Sequence, residues 1–326
     1  MPEPLAPVAH RDIHPWVAAG QGRVRFGIDV GPAPDFSVSI AWVRLIEALG
    51  FDSFWMRDHP ARAPEDPFTY LAAIAASTTR IRLGTLVACT RYRHPMLLAR
   101  VAADVDRLSG GRLVLGLGGG WDAREFAQMG LPFPTPGERL DALEETIHAL
   151  AGLWGDAPFT YMGRHVAVHE ANVHPGPLQQ PRVPLLIGGG GERRTLRLVA
   201  QYADLANIEG HGGTGAQTPD ELRRKYAILR QHCAAVGRPY EAVLRSYFRA
   251  PVVIAETEAG VRVKLAALPS GIRGAGGLVA GTPDQVIAIF RAYVDAGTQY
   301  FILVLDDAET AHMLAERVLP AFAPAA

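Results

Sequence analysis

Short apolar runs typical of strands alternate with longer helical patterns along nearly the whole of this 326-residue sequence. The runs lie near residues 25–30, 52–56, 81–88, 112–117, 185–187, 204–208, 247–255 and 300–305, and a helical pattern follows each of them. Strict alternation of this kind predicts a parallel sheet with helical crossovers. An open doubly wound sheet and a closed barrel both satisfy the pattern. Eight units within roughly 300 residues favour the closed form, a (β/α)8 TIM barrel of the α/β class.

The alternation is interrupted once, by residues 155–184, which carry many Pro, Gly and His residues and no helical repeat. We interpret this segment as an insertion that follows strand four and its helices. Residues 1–22 are rich in Pro and Ala, and we expect them to form an N-terminal arm outside the fold. No shift in composition divides the remainder, so residues 23–326 are predicted to form a single barrel domain.

Charge and composition argue against several classes of partner. Lys and Arg total 32 against 33 Asp and Glu, so no basic surplus favours a nucleic acid or an anionic membrane. No apolar run approaches the roughly 18 residues that span a bilayer, and no signal peptide is recognisable. The two cysteines, Cys89 and Cys233, are far apart in sequence and suit a reducing compartment. We therefore expect a cytoplasmic protein whose partner is a small-molecule substrate.

Sequence motifs for metal and hydrolytic chemistry are not found. His165, His169 and His174 in the insertion fit no standard zinc spacing. No H-E-x-x-H, G-x-S-x-G or P-loop motif occurs either, so we expect no metal and no hydrolase. The active site of such a barrel lies at the C-terminal ends of its strands, so we expect the catalytic and coenzyme-binding residues directly after each strand.

Side chains suited to catalysis follow strands two and four. After strand two, His59 can move a proton near neutral pH, and Asp58 can orient it or hold a cofactor hydroxyl. The alternative is a surface turn in which His59 only bonds a neighbour. After strand four, Trp121 offers a large apolar face to a substrate. Cys89, which follows strand three, is expected to be a packed small side chain rather than a reactive thiol.

Glycines cluster after strands four and five. Gly118 and Gly119 would let the backbone approach a planar ring without a Cβ clash. Gly118-x-Gly120-x-x-Ala123 also matches a dinucleotide fingerprint, but that fingerprint opens a Rossmann domain, whereas this one follows the fourth strand. Strand five is followed by a run of four glycines at the start of a predicted helix, namely Gly188, Gly189, Gly190 and Gly191. Their N–H groups predict a phosphate site, with a flexible loop as the alternative.

Several segments, taken in this order, resemble motifs of the luciferase-like monooxygenase family. They are LGFDSFWMRDH at 49–59, IRLGT at 81–85, RHP at 93–95, LSGGRL at 108–113, GLGGGW at 116–121 and PLLIGG at 184–189. The resemblance is strong over residues 25–208 and loose over the rest. It implies a (β/α)8 barrel that binds a flavin, or the deazaflavin coenzyme F420, at the C-terminal ends of its strands.

Within this family the chain resembles the F420-dependent branch, through the Asp58–His59 pair, the glycine loop at 188–191 and the segment QYAD at 201–204. That resemblance implies a non-prolyl cis peptide bond between Leu86 and Val87, forming a bulge that backs the deazaflavin ring. The sugar-phosphate dehydrogenases of the branch carry a catalytic Glu where this chain has Trp121. Oxidation of glucose 6-phosphate is therefore not expected, and an apolar substrate fits better.

The predicted function is hydride transfer between C5 of coenzyme F420 and a small organic substrate, with His59 handling the accompanying proton. One alternative is an FMN-dependent monooxygenase, which would activate oxygen. A second alternative is a non-catalytic barrel that has lost cofactor binding, although this chain keeps its glycine loops and His59. The resemblance also leads us to expect a homodimer.

Overall fold

Eight parallel strands close into a barrel in the computed structural model, which describes residues 13–29, 35–63, 65–210, 213–249, 251–269, 277–305 and 307–324. The strands of the described residues, inside and outside the barrel, are β1 (Arg25–Asp29), β2 (Ser53–Met56), β3 (Arg82–Thr85), β4 (Ala88–Cys89), β5 (Leu113–Gly118), β6 (Phe159–Met162), β7 (Ala167–Ala171), β8 (Leu185–Gly188), β9 (Leu205–Glu209), β10 (Leu244–Arg249), β11 (Val252–Ile254), β12 (Val279–Gly281) and β13 (Tyr300–Val304). Its α-helices are α1 (Pro15–Ala18), α2 (Phe36–Ala48), α3 (Pro67–Ser77), α4 (Pro95–Leu108), α5 (Ala123–Gln128), α6 (Pro136–Leu153), α7 (Thr195–Tyr202), α8 (Pro219–Ala235), α9 (Glu258–Ala267), α10 (Pro283–Asp295) and α11 (Ala308–Met313).

The pairing of strands confirms the closed barrel. The order around the ring is β1, β2, β3, β5, β8, β9, β10 and β13, and β13 pairs with β1 to complete it. Every one of these neighbouring pairs is parallel. After a break at residues 86–87 the chain of β3 resumes as β4, which pairs with the end of β5. All eight strands therefore deliver their C-terminal ends to one mouth of the barrel.

Capping residues fix where several helices leave that mouth. Asp66 accepts a hydrogen bond from Thr69 N at the start of α3, and Thr135 forms a capping box with Glu138 at the start of α6. A proline follows each of these caps, where its missing N–H costs nothing. These caps fix the residues at which α3 and α6 begin, and the side chains that follow the strands lie around a single opening.

The N-terminal end of the barrel is closed by α1. Trp16 and Val17 are buried and join the cluster of side chains inside the barrel, and His14 Nε2 lies 3.0 Å from the carbonyl oxygen of Arg182. The expectation that residues 1–22 lie outside the fold is therefore wrong for this segment, because its two large apolar side chains fill the end of the barrel. Residues 1–12 of the predicted arm lie outside the described residues.

Three other elements differ from the sequence prediction. The seventh barrel strand is β10 rather than residues 247–255, and β11 instead pairs with β12 in a separate parallel sheet. The insertion contains an antiparallel hairpin of β6 and β7. The helix after the fifth barrel strand, β8, is α7. It begins at Thr195, three residues later than predicted, so the glycine run does not directly precede it.

Two expected absences concern membranes and metals. Across the described ranges, none of the helices is long and apolar enough to cross a membrane. Within the same residues, no three or more His, Cys, Asp or Glu side chains gather in a way that could hold a metal ion. These observations are compatible with the expectations of no membrane partner and no metal, which stay predictions.

Candidate active site

His59 and Trp121, which were predicted to share a site, lie together at the mouth. His59 follows β2 and Trp121 follows β5, and their ring centroids are 5.7 Å apart in an edge-to-face arrangement. Trp121 is 64% exposed, so most of its apolar face is open to a ligand. His59 is only 23% exposed in its side chain, which leaves one edge of its ring available. The two residues thus form one wall of the opening.

A buried carboxylate, Glu125, holds His59 in place. Glu125 Oε2 lies 2.9 Å from His59 Nδ1 and also accepts from the hydroxyl of Tyr92 at 3.2 Å. The Glu125 side chain is 2% exposed, and its Oε1 has no hydrogen-bond partner among the described residues. When Nδ1 carries the ring proton and donates it to Glu125, Nε2 is the nitrogen left to accept a proton from the pocket.

Sequence reasoning missed Glu125, although a local signal exists. Asp122 caps α5 by accepting from Arg124 N, and the cap sets the helix so that Glu125 turns back toward His59. A carboxylate in the first turn of a helix that begins beside Trp121 could have been considered as a partner for His59. The contact itself joins residues 66 positions apart, and only the closed barrel brings them together.

Asp58 does not orient His59. Its Oδ2 accepts from Cys89 N at 3.0 Å and from Arg93 Nη1 at 2.6 Å, so it ties the end of β2 to the chain around β4. Its Oδ1 is buried and has no partner among the described residues, which leaves an acceptor for a hydroxyl group. Burial raises the pKa of Cys89 to about 12, which fits the predicted packed thiol rather than a nucleophile.

The implied cis peptide bond between Leu86 and Val87 is present. The side chain of Val87 occupies the space that a Cβ would need at two of the predicted glycines. A Cβ on Gly118 would lie 2.7 Å from Val87 Cγ2, and one on Gly188 would lie 3.1 Å from Val87 Cγ1. These glycines are required by the bulge itself, whereas the sequence interpretation assigned Gly118 and Gly119 to close approach of a ring. Gly119 instead packs against the backbone of Arg139.

The glycine loop after β8 is anchored to α8 by Lys225. Lys225 Nζ donates to the carbonyl of Gly190 at 2.8 Å, and the amide of Gly189 donates to Asn207 O at 2.9 Å. No described residue accepts a hydrogen bond from the amides of Gly190 and Gly191. The ammonium group of Lys225 also lies 3.6 Å from Glu192 Oε1, so the two free amides are the groups left to an anion, and the phosphate site at this loop stays a prediction.

An ion pair that the sequence interpretation did not single out lies inside the mouth. Arg57 Nε donates to Asp29 Oδ2 at 2.7 Å, and Nη2 of the same guanidinium lies 2.6 Å from that oxygen. Asp29 is completely buried, and burial raises its pKa even though Arg57 acts in the opposite direction. Arg57 lies within the segment at 49–59 that carries the family resemblance, but neither residue was singled out, and the signal for the pair was its position at the ends of β1 and β2.

Comparison with known proteins places this geometry in context. Residues 16–300 match the family described as luciferase-like monooxygenase. An uncharacterized Mycobacterium tuberculosis protein is 33% identical over 239 residues, which is 67% of this chain and 79% of that protein. A pyrimidine monooxygenase, RutA of Escherichia coli, is 31% identical over 235 residues, covering 70% of this chain and 54% of its own length.

Two further similarities extend over more of the chain. An F420-dependent glucose-6-phosphate dehydrogenase of Kineococcus radiotolerans is 28% identical over 306 residues, which is 83% of this chain and 86% of that enzyme. The solved structure of the F420-dependent tetrahydromethanopterin reductase of Methanopyrus kandleri superposes with a TM-score of 0.78 at 21% identity. It covers 92% of this chain and all of the reductase chain, which supports the shared fold.

Proposed function

The chain belongs to the luciferase-like monooxygenase family of flavin- and F420-dependent oxidoreductases, and on that premise we propose that it is a coenzyme F420-dependent oxidoreductase acting on a small organic substrate. The pairing of His59 with the buried Glu125 beside Trp121 is the observation that carries the proposal. A histidine held by a carboxylate is a suitable acid or base for the proton that accompanies hydride transfer. The F420-dependent relative supports the choice of coenzyme, since its similarity extends over most of both chains.

The residues at the mouth fit a deazaflavin. The groups proposed to hold it are Asp58, the bulge of Leu86 and Val87, and the loop of Gly188, Gly189, Gly190 and Gly191. Asp58 Oδ1 offers a buried acceptor that no described residue uses, and the loop offers free amides for a phosphate. When bound, the coenzyme would supply hydride donation or acceptance at C5.

His59 is the proposed proton donor or acceptor, and its Nε2 is the acting atom. Glu125 fixes the ring through Nδ1, so the catalytic nitrogen points away from the protein interior. Trp121 would pack against an apolar part of the substrate and exclude water from one side of it. Trp121 stands where the sugar-phosphate dehydrogenases of this branch carry Glu, so we do not propose sugar phosphate as substrate.

Titration of the purified protein with coenzyme F420 and, separately, with FMN tests the coenzyme, with fluorescence quenching as the readout. We expect saturable binding of F420 and no comparable binding of FMN. The Gly190→Ala variant should bind F420 more weakly, because the added methyl group would meet the backbone of Thr214 and disturb the loop. Binding of FMN alone would contradict the proposed coenzyme and leave the family and fold intact.

An FMN-dependent monooxygenase is the second candidate, and the 31% identity to a pyrimidine monooxygenase favours it. It would require FMN binding and oxygen consumption in the same titration series. A barrel that has lost its coenzyme would bind neither compound. The expected homodimer stays a prediction, which light scattering on the purified chain would test.

A further inference from the structure

The inner surface of the barrel mouth carries one guanidinium group, that of Arg57, among the described residues that face inward from β1 and β2. Trp55 is completely buried within the barrel, and Arg57, two residues later in the extended chain, continues on the same side. On β1, a Cβ at Gly27 would lie 2.7 Å from Trp55 Nε1, so Asp29, two residues later, also faces inward. Asp29 and Arg57 therefore form the layer directly above Trp55.

The guanidinium of Arg57 is held on two sides. On one side, Asp29 Oδ2 accepts a hydrogen bond from Nε at 2.7 Å and lies 2.6 Å from Nη2. On the other, the centre of the Phe248 ring lies 5.7 Å from the guanidinium carbon. Phe248 belongs to the same inner cluster as Trp55. A side chain fixed by a buried carboxylate and an aromatic ring has lost its rotational freedom before any ligand arrives, which lowers the cost of binding one.

The contacts to Asp29 leave one edge of the guanidinium free. Nε and Nη2 form the side edge of the planar fork, and both point to the same carboxylate oxygen. The end edge, formed by Nη1 and the second hydrogen of Nη2, has no acceptor among the described residues. Arg57 is 40% exposed in its side chain although Asp29 is not exposed at all. The free edge therefore faces the open mouth.

We propose that Arg57 is the recognition residue for a carboxylate group on the substrate. A carboxylate matches the end edge of a guanidinium with two parallel hydrogen bonds. Trp121 supplies an apolar aromatic face at the same mouth, so the class of compound is a carboxylic acid with an apolar or aromatic body. The assignment of this compound as substrate rests on the proposed function, but its binding does not.

Benzoate and its neutral isostere benzamide are the probes, titrated by calorimetry into the coenzyme-free protein and into protein saturated with F420. A charge-assisted pair of hydrogen bonds predicts that benzoate binds about tenfold or more tightly than benzamide. The Arg57→Met variant should lose this preference. Because that variant leaves Asp29 buried without its partner, the double variant Asp29→Asn with Arg57→Gln provides a second, charge-free measurement.

The matched control is Arg223→Met, which removes an exposed guanidinium paired with Asp220 on α8. This control should keep the preference for benzoate. Equal binding of the two probes, absence of saturable benzoate binding in the millimolar range, or a preference that survives in both Arg57 variants would overturn the proposal. A weaker affinity for F420 in those variants, with benzoate binding unchanged, would overturn it by assigning Arg57 to the coenzyme. Failure of F420 to bind, with the benzoate preference intact, would count against the proposed function alone.

Discussion

Two aspartates are buried at opposite ends of the same barrel and differ in how they are satisfied. Asp204, at the N-terminal end, pairs with Arg182 through both oxygens, accepts from Leu185 N at 2.8 Å, and lies 3.6 Å from Arg238. Asp29, at the mouth, uses one oxygen for Arg57, and its Oδ1 has no partner among the described residues. Both carboxylates are removed from water to the same degree.

The pKa values of the two groups differ in direction for this reason. Burial alone would raise the pKa of Asp204, but the charge and hydrogen bonds of Arg182 outweigh it and hold the pKa below its ordinary value. At Asp29 burial dominates, and Arg57 offsets only part of it, so the pKa is raised. The closed end of the barrel is built for stability, whereas the mouth keeps incompletely paired polar groups that a ligand can use.

The largest effect is expected from removing the carboxylate at the closed end. Asp204→Ala would leave Arg182 and Arg238 buried without their counter-ion, and should lower the free energy of unfolding by about 3–5 kcal/mol. Urea denaturation followed by circular dichroism measures it. Asp220→Ala is the matched control, since Asp220 is 89% exposed, and it should leave the midpoint almost unchanged. Equal midpoints for the two variants would contradict the contrast drawn between the ends.

The next largest effect is expected at the mouth, and it should appear mainly in kcat rather than in the free energy of unfolding. His59→Ala should lower kcat on the order of 100-fold, because a positioned acid or base contributes about this much or more. Its free energy of unfolding should fall by less than that of Asp204→Ala, since the side chain of His59 is partly exposed and Glu125 keeps the hydroxyl of Tyr92 as a partner. Steady-state kinetics and urea denaturation of the same preparation separate the two quantities.

Two further variants sharpen this result. Glu125→Gln keeps the shape of the side chain that fixes His59, and it should lower kcat by less than His59→Ala while leaving KM unchanged. His312→Ala, on the exposed face of α11, serves as the control and should be fully active. Full turnover by His59→Ala would remove the proposed role of His59 and would show that the mouth works without it.

The sequence predicted the architecture better than its irregular parts. Eight apolar runs separated by helical patterns were enough to predict the barrel, because the spacing of apolar residues distinguishes strands from helices in the sequence itself. The seventh strand was misplaced for a physical reason. β10 carries Ser246, whose hydroxyl is buried against Asn207, so a strand that is inside the barrel did not look apolar. The neighbouring run in β11 is apolar, yet it pairs outside the barrel.

The candidate site was predictable only where a strand end carried a distinctive side chain. His59 and Trp121 were placed together because each follows a barrel strand, and the family resemblance gave the cis bond at Leu86–Val87, which is confirmed. Glu125 and the Asp29–Arg57 pair depend on contacts between distant segments. Such pairs are set by barrel closure and helix orientation, which a single sequence without aligned relatives does not encode in any local pattern.

The opposite pKa shifts predict opposite dependences of stability on pH. A lowered folded pKa means that the contribution of Asp204 is present above its unfolded pKa and is lost as the pH falls through the folded value. A raised folded pKa means that Asp29 contributes below its unfolded pKa and loses this as the pH rises through the folded value. As the pH rises, the cost of Asp204→Asn should therefore grow up to about pH 4 and stay level above it, whereas that of Asp29→Asn should shrink above about pH 4.

Urea denaturation at a series of pH values measures both slopes. The two variants are matched, since each replaces one buried carboxylate by an amide of the same shape and leaves its arginine in place. Slopes of the same sign would show that the pKa of the buried carboxylate is shifted in the same direction at both ends of the barrel. That outcome would also weaken the case for Arg57 as a group kept available for a ligand.

The smallest effect on stability is expected at Trp121, although it is a large aromatic residue. It is 64% exposed, and the guanidinium of Arg62 lies 5.2 Å from its ring. Trp121→Ala should therefore change the free energy of unfolding by about 0.5–1 kcal/mol or less, the range of an exposed cation–π contact. The same variant should raise KM for any substrate that the enzyme turns over, while Trp121→Phe, which keeps an apolar ring, should raise it less. A large loss of stability with unchanged KM would mean that Trp121 belongs to the packed body of the barrel and not to its open end.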